Sequence, residues 1–128
     1  MNKIALSIAT LCLAAGSMMA AEPTVMHCFA YTPIKEATQS DWDAFYKATD
    51  ALPQKINGLK RVWYGKLARP LKLGDNVREH GVCMEFADEA AYKAYGAKDN
   101  AAHNEWVGVY GKVRQPGTTT YQILPVKK

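Results

Sequence analysis

Stretches in which apolar residues alternate singly, separated by stretches in which they recur every three or four positions, constrain the fold of this chain more than any other feature. TVMHCFAYTP reads as a first strand, with His27, Phe29 and Tyr31 on one face and Met26, Cys28 and Ala30 on the other. Both faces are partly apolar, so the strand is expected to be covered on both sides. After Pro33 the period changes. Trp42, Phe45, Thr49, Leu52 and Ile56 follow one another at spacings of three and four, which places them on one helix face packed against a sheet. Ser40 followed by Asp43 is the expected capping box, and Pro53 ends or bends the helix near its last turn.

GLKRVWYGKL then reads as a second strand, and ARPLKLGDNVR as a loop, because it holds Pro70 and the Gly74-Asp75-Asn76 turn signal. In EHGVCMEFA, His80, Val82, Met84 and Phe86 face one way and Gly81, Cys83 and Glu85 the other. DEAAYKAYG begins a short helix with acids at its N-terminal end. Asp99 or Asn100 caps a further helix that carries His103, Trp106, Val107 and Tyr110 along one side, and TTTYQILPV supplies the last strand. Right-handed crossovers turn this order into an α+β fold: a four-stranded antiparallel sheet of the ferredoxin-like kind with helices on one face. The opposite face keeps Met26, Cys28 and Ala30, with Val62 and Tyr64 expected beside them. A bare apolar sheet face calls for a cover, and a second copy of the chain is the economical one.

The N-terminus carries a different signal. Lys3, the apolar run IALSIATLCLAAG and the small-residue exit SMMAAEP form the three parts of a secretory leader over residues 1–21. Its run of roughly 13 apolar or small residues falls short of the ~20 that cross a bilayer, so no stable membrane anchor is expected. Residues 22–128 are expected to work as one exported domain, periplasmic or secreted. Loss of Lys3 lowers the formal charge from +4 to +3. Basic residues such as Lys60, Arg61, Arg69 and Arg78 are scattered among acids, which argues against a nucleic-acid partner; Arg61, Arg69 and Arg78 either receive a carboxylate at a pocket mouth or are plain surface charges. Cys28 and Cys83 both fall in strands, and either a cross-strand bridge or two buried thiols fits that placement.

Three histidines draw attention. His27 and His80 can both face the helices, where a neutral imidazole beside an aromatic wall suits a general base or a ligand contact; hydrogen-bonded packing residues are the plain alternative. His103 joins them from the last helix. Phe29, Tyr31, Phe45, Tyr46 and Met84 are the expected walls of a helix-side pocket for a small apolar or aromatic molecule. A metal site built from the three histidines lacks a suitable further ligand, because Glu85 lies on the opposite face from His80. The glycines are isolated and form no phosphate cradle, and the cysteines sit mid-strand, so neither metal nor organic cofactor is implied.

Taken together, His27, the Phe45-Tyr46 pair, LPQKINGLKRVWYGK from Leu52 to Lys66, HGVCMEF with His80 six residues before Phe86, Tyr95 and His103 resemble the stress-responsive dimeric alpha-beta barrel domains. The resemblance runs from about Val25 to Leu124. It implies two subunits that pair their sheets into a barrel, that is, a stress-response A/B barrel domain over residues 22–128. It also implies a likeness to plant polyketide cyclases, which close a poly-keto acid by aldol condensation in a pocket between sheet and helices. Their catalytic histidine falls on His80, a supporting one on His27, and their aromatic wall around Phe45 and Tyr46. Where those enzymes have a tyrosine two residues before the catalytic histidine, this chain has Arg78, and another of their tyrosines is replaced by Thr49. The expected function is therefore binding of a small molecule by a homodimer. The alternatives are a cofactor-free lyase or cyclase with His80 as general base, and a structural dimer module with no open pocket.

Overall fold

A computed structural model describes residues 24–126; the expected leader lies outside the described residues. The elements run β1 (Val25–Tyr31), α1 (Gln39–Asp50), α2 (Leu52–Lys55), β2 (Leu59–Leu73), β3 (Asn76–Phe86), α3 (Glu89–Tyr95), α4 (Ala101–Tyr110) and β4 (Thr119–Ile123). The strands form one antiparallel sheet in the order β2-β3-β1-β4. With helices packed on one face, this is the expected ferredoxin-like arrangement.

α1 is capped two residues earlier than expected. Thr38, not Ser40, is the N-cap: its hydroxyl accepts from the Asp41 N–H, and the Asp41 carboxylate accepts from the Thr38 N–H. Ser40 lies inside the first turn. The helix breaks at Ala51, and Pro53 opens the one-turn α2, where a missing N–H costs nothing. Asp88 and Asn100 cap α3 and α4 through their side chains.

The segment read as a loop, 68–78, is strand for most of its length. β2 and β3 extend into a long hairpin closed at Gly74-Asp75, with Gly74 at φ +59. Pro70 fits because β2 is an edge strand, and the register shifts between Lys66 and Leu71 around it. A second shift, between Leu59 and Arg61, inverts the expected faces of β2. Val62 and Tyr64 pair with Met84 and Val82 on the helix side, and Trp63 instead joins Cys28 and Cys83 on the open side. The Tyr64 hydroxyl donates to the Asp50 carboxylate of α1 at 2.7 Å.

Between sheet and helices lies the core, which includes Val25, Phe29, Tyr31, Phe45, Val82, Met84, Phe86, Trp106 and Tyr110. Its one polar member from α1, Thr49, is fully satisfied: the hydroxyl donates to the Phe45 carbonyl at 2.6 Å and accepts from Trp106 Nε1 at 3.0 Å. On the other side of the sheet, Cys28 and Cys83 stand opposite each other with Cα atoms 4.1 Å apart and are joined in a disulfide. Beside them Arg61 pairs with Glu85 at 2.8 Å, and its guanidinium covers Trp63. This open face retains Trp63, Tyr121 and Ile123 as exposed apolar groups, and a groove of about 410 Å³ runs over the disulfide between Trp63, Leu67, Leu71 and Tyr121. Among the described residues no helix is long and apolar enough to cross a membrane.

Candidate functional site

His27 and His80 both face the helices, as expected, but the register keeps them apart. Tyr31 stands opposite His80 and Met84 opposite His27. Four residues of strand, about 13 Å at the usual rise, therefore separate the two histidines. His80 lies at one end of the helix face, against the rings of Tyr31 and Trp42. Its Nδ1 is buried without a hydrogen-bond partner. Tyr31, Phe45 and Met84 are fully buried packing residues, whereas Tyr46 is partly exposed and stacks on Tyr64.

At the other end His27 meets a different set. Its ring lies against Phe29, Tyr92 and Tyr95, and Tyr95 in turn lies 4.2 Å from the ring of His103. His27, Phe29, Tyr95 and His103 border an open cavity of about 170 Å³ between α4 and the β1–β4 ladder, lined also by Trp106, Val107, Tyr110, Arg114, Thr118 and Thr120. Local sequence explains the placement. Alternation along β1 aims His27 and Phe29 at the helices, the same alternation aims Thr120 and Gln122 of β4, and Asn100 sets His103 in the first turn of α4 by accepting from its N–H.

The Gln122 amide nitrogen lies 3.0 Å from His27 Nδ1. An amide nitrogen only donates, so Nδ1 accepts and the proton of the neutral ring sits on Nε2. Burial lowers the His27 pKa below 6.5, and the nearby His103 lowers it further. Burial alone lowers His103. His80 is lowered chiefly by burial; Glu79 pulls it up and Lys66 pushes it down. All three imidazoles are therefore neutral near pH 7. An unfolded chain takes up their protons near pH 6.5 while the folded one resists, so stability is complete above that pH and declines below it. Thermal unfolding is expected to occur at a lower temperature at pH 5.5 than at pH 7.5, a window above the carboxylate range. Equal midpoints would contradict the placement of the histidines.

Sequence reasoning missed Arg114, Thr118 and Thr120 as lining groups, and weighed Arg78 as a carboxylate receiver at a pocket mouth against a scattered surface charge. Arg78 is only 8% exposed. It shares the face of His80 and donates to the Thr32 hydroxyl at 3.2 Å. Among the described residues no cluster of three metal-ligating side chains is assembled.

The fold is similar to several solved structures. A Dabb family protein with a ferredoxin-like fold from Mesorhizobium loti is 20% identical, with a TM-score of 0.61 over 82% of this chain and 99% of that one. A hydroxynitrile lyase from Passiflora edulis has a TM-score of 0.64 at 12% identity, over 84% of this chain and 97% of that one. A dimeric ferredoxin-like protein from Thermobifida fusca has a TM-score of 0.60 at 16% identity, over 84% and 95%. Likeness at such low identities establishes the fold alone. No protein-family model and no curated protein matches the chain.

Proposed function

We propose that this protein is an exported homodimer that binds a small, flat, largely apolar molecule in the cavity between α4 and the β1–β4 ladder. The observation that carries this reading is the cavity itself: it is lined by the rings of Phe29, Tyr95, Trp106 and Tyr110 and edged by the neutral imidazoles of His27 and His103. An enclosed apolar cavity of ~150 Å³ holds benzene; this one, about 170 Å³ and open to solvent on one side, has the size for a single substituted ring whose polar edge stays wet. Aromatic walls with a few fixed polar groups are the usual make-up of such sites.

Pairing through the open sheet face would cover Trp63, Tyr121 and Ile123, and the compared Thermobifida fusca protein is itself described as dimeric. The Cys28–Cys83 disulfide fits an oxidising compartment and so supports export through the leader in residues 1–21.

Val107 lines the cavity from α4 and is 38% exposed. Val107→Trp would fill the cavity from its mouth without disturbing the core. Benzamide titrated into the protein is expected to shift the His27 and His103 imidazole resonances, and the variant is expected to bind it at least about tenfold more weakly, a loss of about 1.4 kcal/mol. Melting should change little, as for most partly exposed positions. Failure of the unmodified protein to bind any single-ring probe would instead favour the structural dimer module.

His80 supports a second reading, a cofactor-free lyase or cyclase. Its unpartnered Nδ1 and lowered pKa give it the free neutral nitrogen that a general base needs. One compared structure is a lyase by name. The His80 Nδ1 is closed to solvent and the rings of Tyr31 and Trp42 pack against the imidazole, so this chemistry requires the site to open locally. Turnover that is lost in His80→Ala while ligand affinity is kept would establish it over simple binding.

A further inference from the structure

We propose that the ligand carries a carboxylate, received at the inner end of the same cavity by Arg114 and the Tyr110 hydroxyl with Arg78 behind them. This inference rests on the binding reading above and names the class of ligand. Three elements converge there. Arg114 follows α4, and its guanidinium carbon stands 4.8 Å over the Tyr110 ring. Arg78 of β3 reaches the Thr32 hydroxyl, and the Gln115 N–H donates to the Thr32 carbonyl at 2.8 Å. Thr32 thus draws both arginine-bearing segments to the end of β1. The Arg78 fork also lies against the loop before β4: a Cβ at Gly117 would stand 3.4 Å from its Nη2, one residue from the cavity-lining Thr118.

The cluster lacks a negative charge. Arg78 Nε, Arg114 Nε and the Tyr110 hydroxyl are all buried without a hydrogen-bond partner. Among the described residues the ion pairs are Lys55–Glu105 and Arg61–Glu85, neither of which involves Arg78 or Arg114. No acid lines the cavity. Burial of a charge without a partner is costly, and so is an unmade hydrogen bond. Here the Nε atoms of two guanidinium groups, whose Nη1 atoms donate to the Thr32 hydroxyl and the Gln115 carbonyl, share that deficit with one hydroxyl, and both positive charges act on the Tyr110 hydroxyl, drawing its pKa down against the stronger upward push of burial. A carboxylate against Arg114, which lines the cavity, supplies the missing charge and accepts from its guanidinium N–H, with its two oxygens matched to an arginine fork; the Tyr110 hydroxyl is closed off in the empty site and becomes a partner only as the site opens to admit the ligand. The aromatic walls hold the ring that bears it, and the histidines at the opposite end remain neutral.

Benzoate and benzamide have nearly the same shape and differ in charge, so the test compares their affinities for the full protein. Benzoate is expected to bind about tenfold or more tightly than benzamide at pH 7.5, the scale of one charge-assisted hydrogen bond. Arg114→Gln is expected to bring the ratio to within about twofold, and Arg114→Lys, which keeps the charge and loses the fork, to leave an intermediate value. Equal affinities for the two probes would overturn the carboxylate and leave the cavity reading standing. An undiminished preference for benzoate in Arg114→Gln would overturn Arg114 as the receiver of the carboxylate. If neither probe binds, the cavity reading fails and the carboxylate with it.

Discussion

Phe45→Ala is expected to lower the stability of the domain by about 3–5 kcal/mol, the range for a buried aromatic removed from a packed core. Phe45 is fully buried at the centre of the helix face of α1. Its ring lies within 6.3 Å of six others, those of Tyr31, Trp42, Tyr46, Tyr64, Trp106 and Tyr110. Rings are rigid, so the surroundings cannot collapse into the space left behind, and the cavity term adds to the lost transfer energy. Its neighbour Tyr46 is 37% exposed and makes a useful comparison. Tyr46→Ala removes a ring from the margin, where solvent fills the gap, and should cost much less. For a domain of this size the Phe45 variant should melt on the order of 20 °C lower. Calorimetry or denaturant titration checks it; a loss below ~1 kcal/mol would mean that α1 does not pack on the sheet as described.

Loss of the Cys28–Cys83 disulfide is the second large effect. The bridge joins residues 55 apart in sequence. Closing a loop of that length removes enough entropy from the unfolded chain to stabilise the fold by about 4 kcal/mol at 25 °C, within an observed range of ~0–5. Because β1 is paired with β3 along its whole length beside the bond, the native sheet is expected to need no rearrangement when the bond is absent. The Cys28→Ala, Cys83→Ala double variant should therefore keep the fold and unfold at lower denaturant, with a loss near 3–4 kcal/mol. Equal stability with and without the bond, measured on oxidised protein whose free thiols have been counted, would contradict the cross-link.

Much of this architecture was legible because period and face are local properties. The alternation of His27, Phe29 and Tyr31, the spacing from Trp42 to Ile56, and Asn100 before the last helix each fix a segment from its own side chains. What failed depended on pairing. A bulge at Lys60 shifts the phase of β2, and nothing in GLKRVWYGK announces it, so Val62 and Tyr64 were expected on the open face, where Trp63 lies instead. Pro70 and a run of mixed residues resemble a loop; only the edge position of β2 makes them strand.

The same limit governed the candidate site. Alternation showed that His27 and His80 share a face but could not show how far apart the register holds them. His27 and His103, read separately, turn out to border one cavity, while His80 rests against Tyr31 and Trp42. Arg114 carried no local signal, and Arg78 only that of a basic residue standing where the resembled cyclases have a tyrosine. Their burial follows from Thr32 and the segment after α4 closing over them, which only the assembled fold reveals.

The central claim is that a dimer of this chain carries a small molecule between α4 and the sheet. Native mass spectrometry of the protein, expressed from its full sequence and purified without reducing agent, tests it most directly. The expected spectrum is a dimer of chains lacking the leader and two hydrogens lighter per chain from the disulfide, with a reproducible added mass that Val107→Trp removes. A clean monomer would contradict the pairing, and a dimer with no added mass under the same gentle conditions would contradict the occupied cavity.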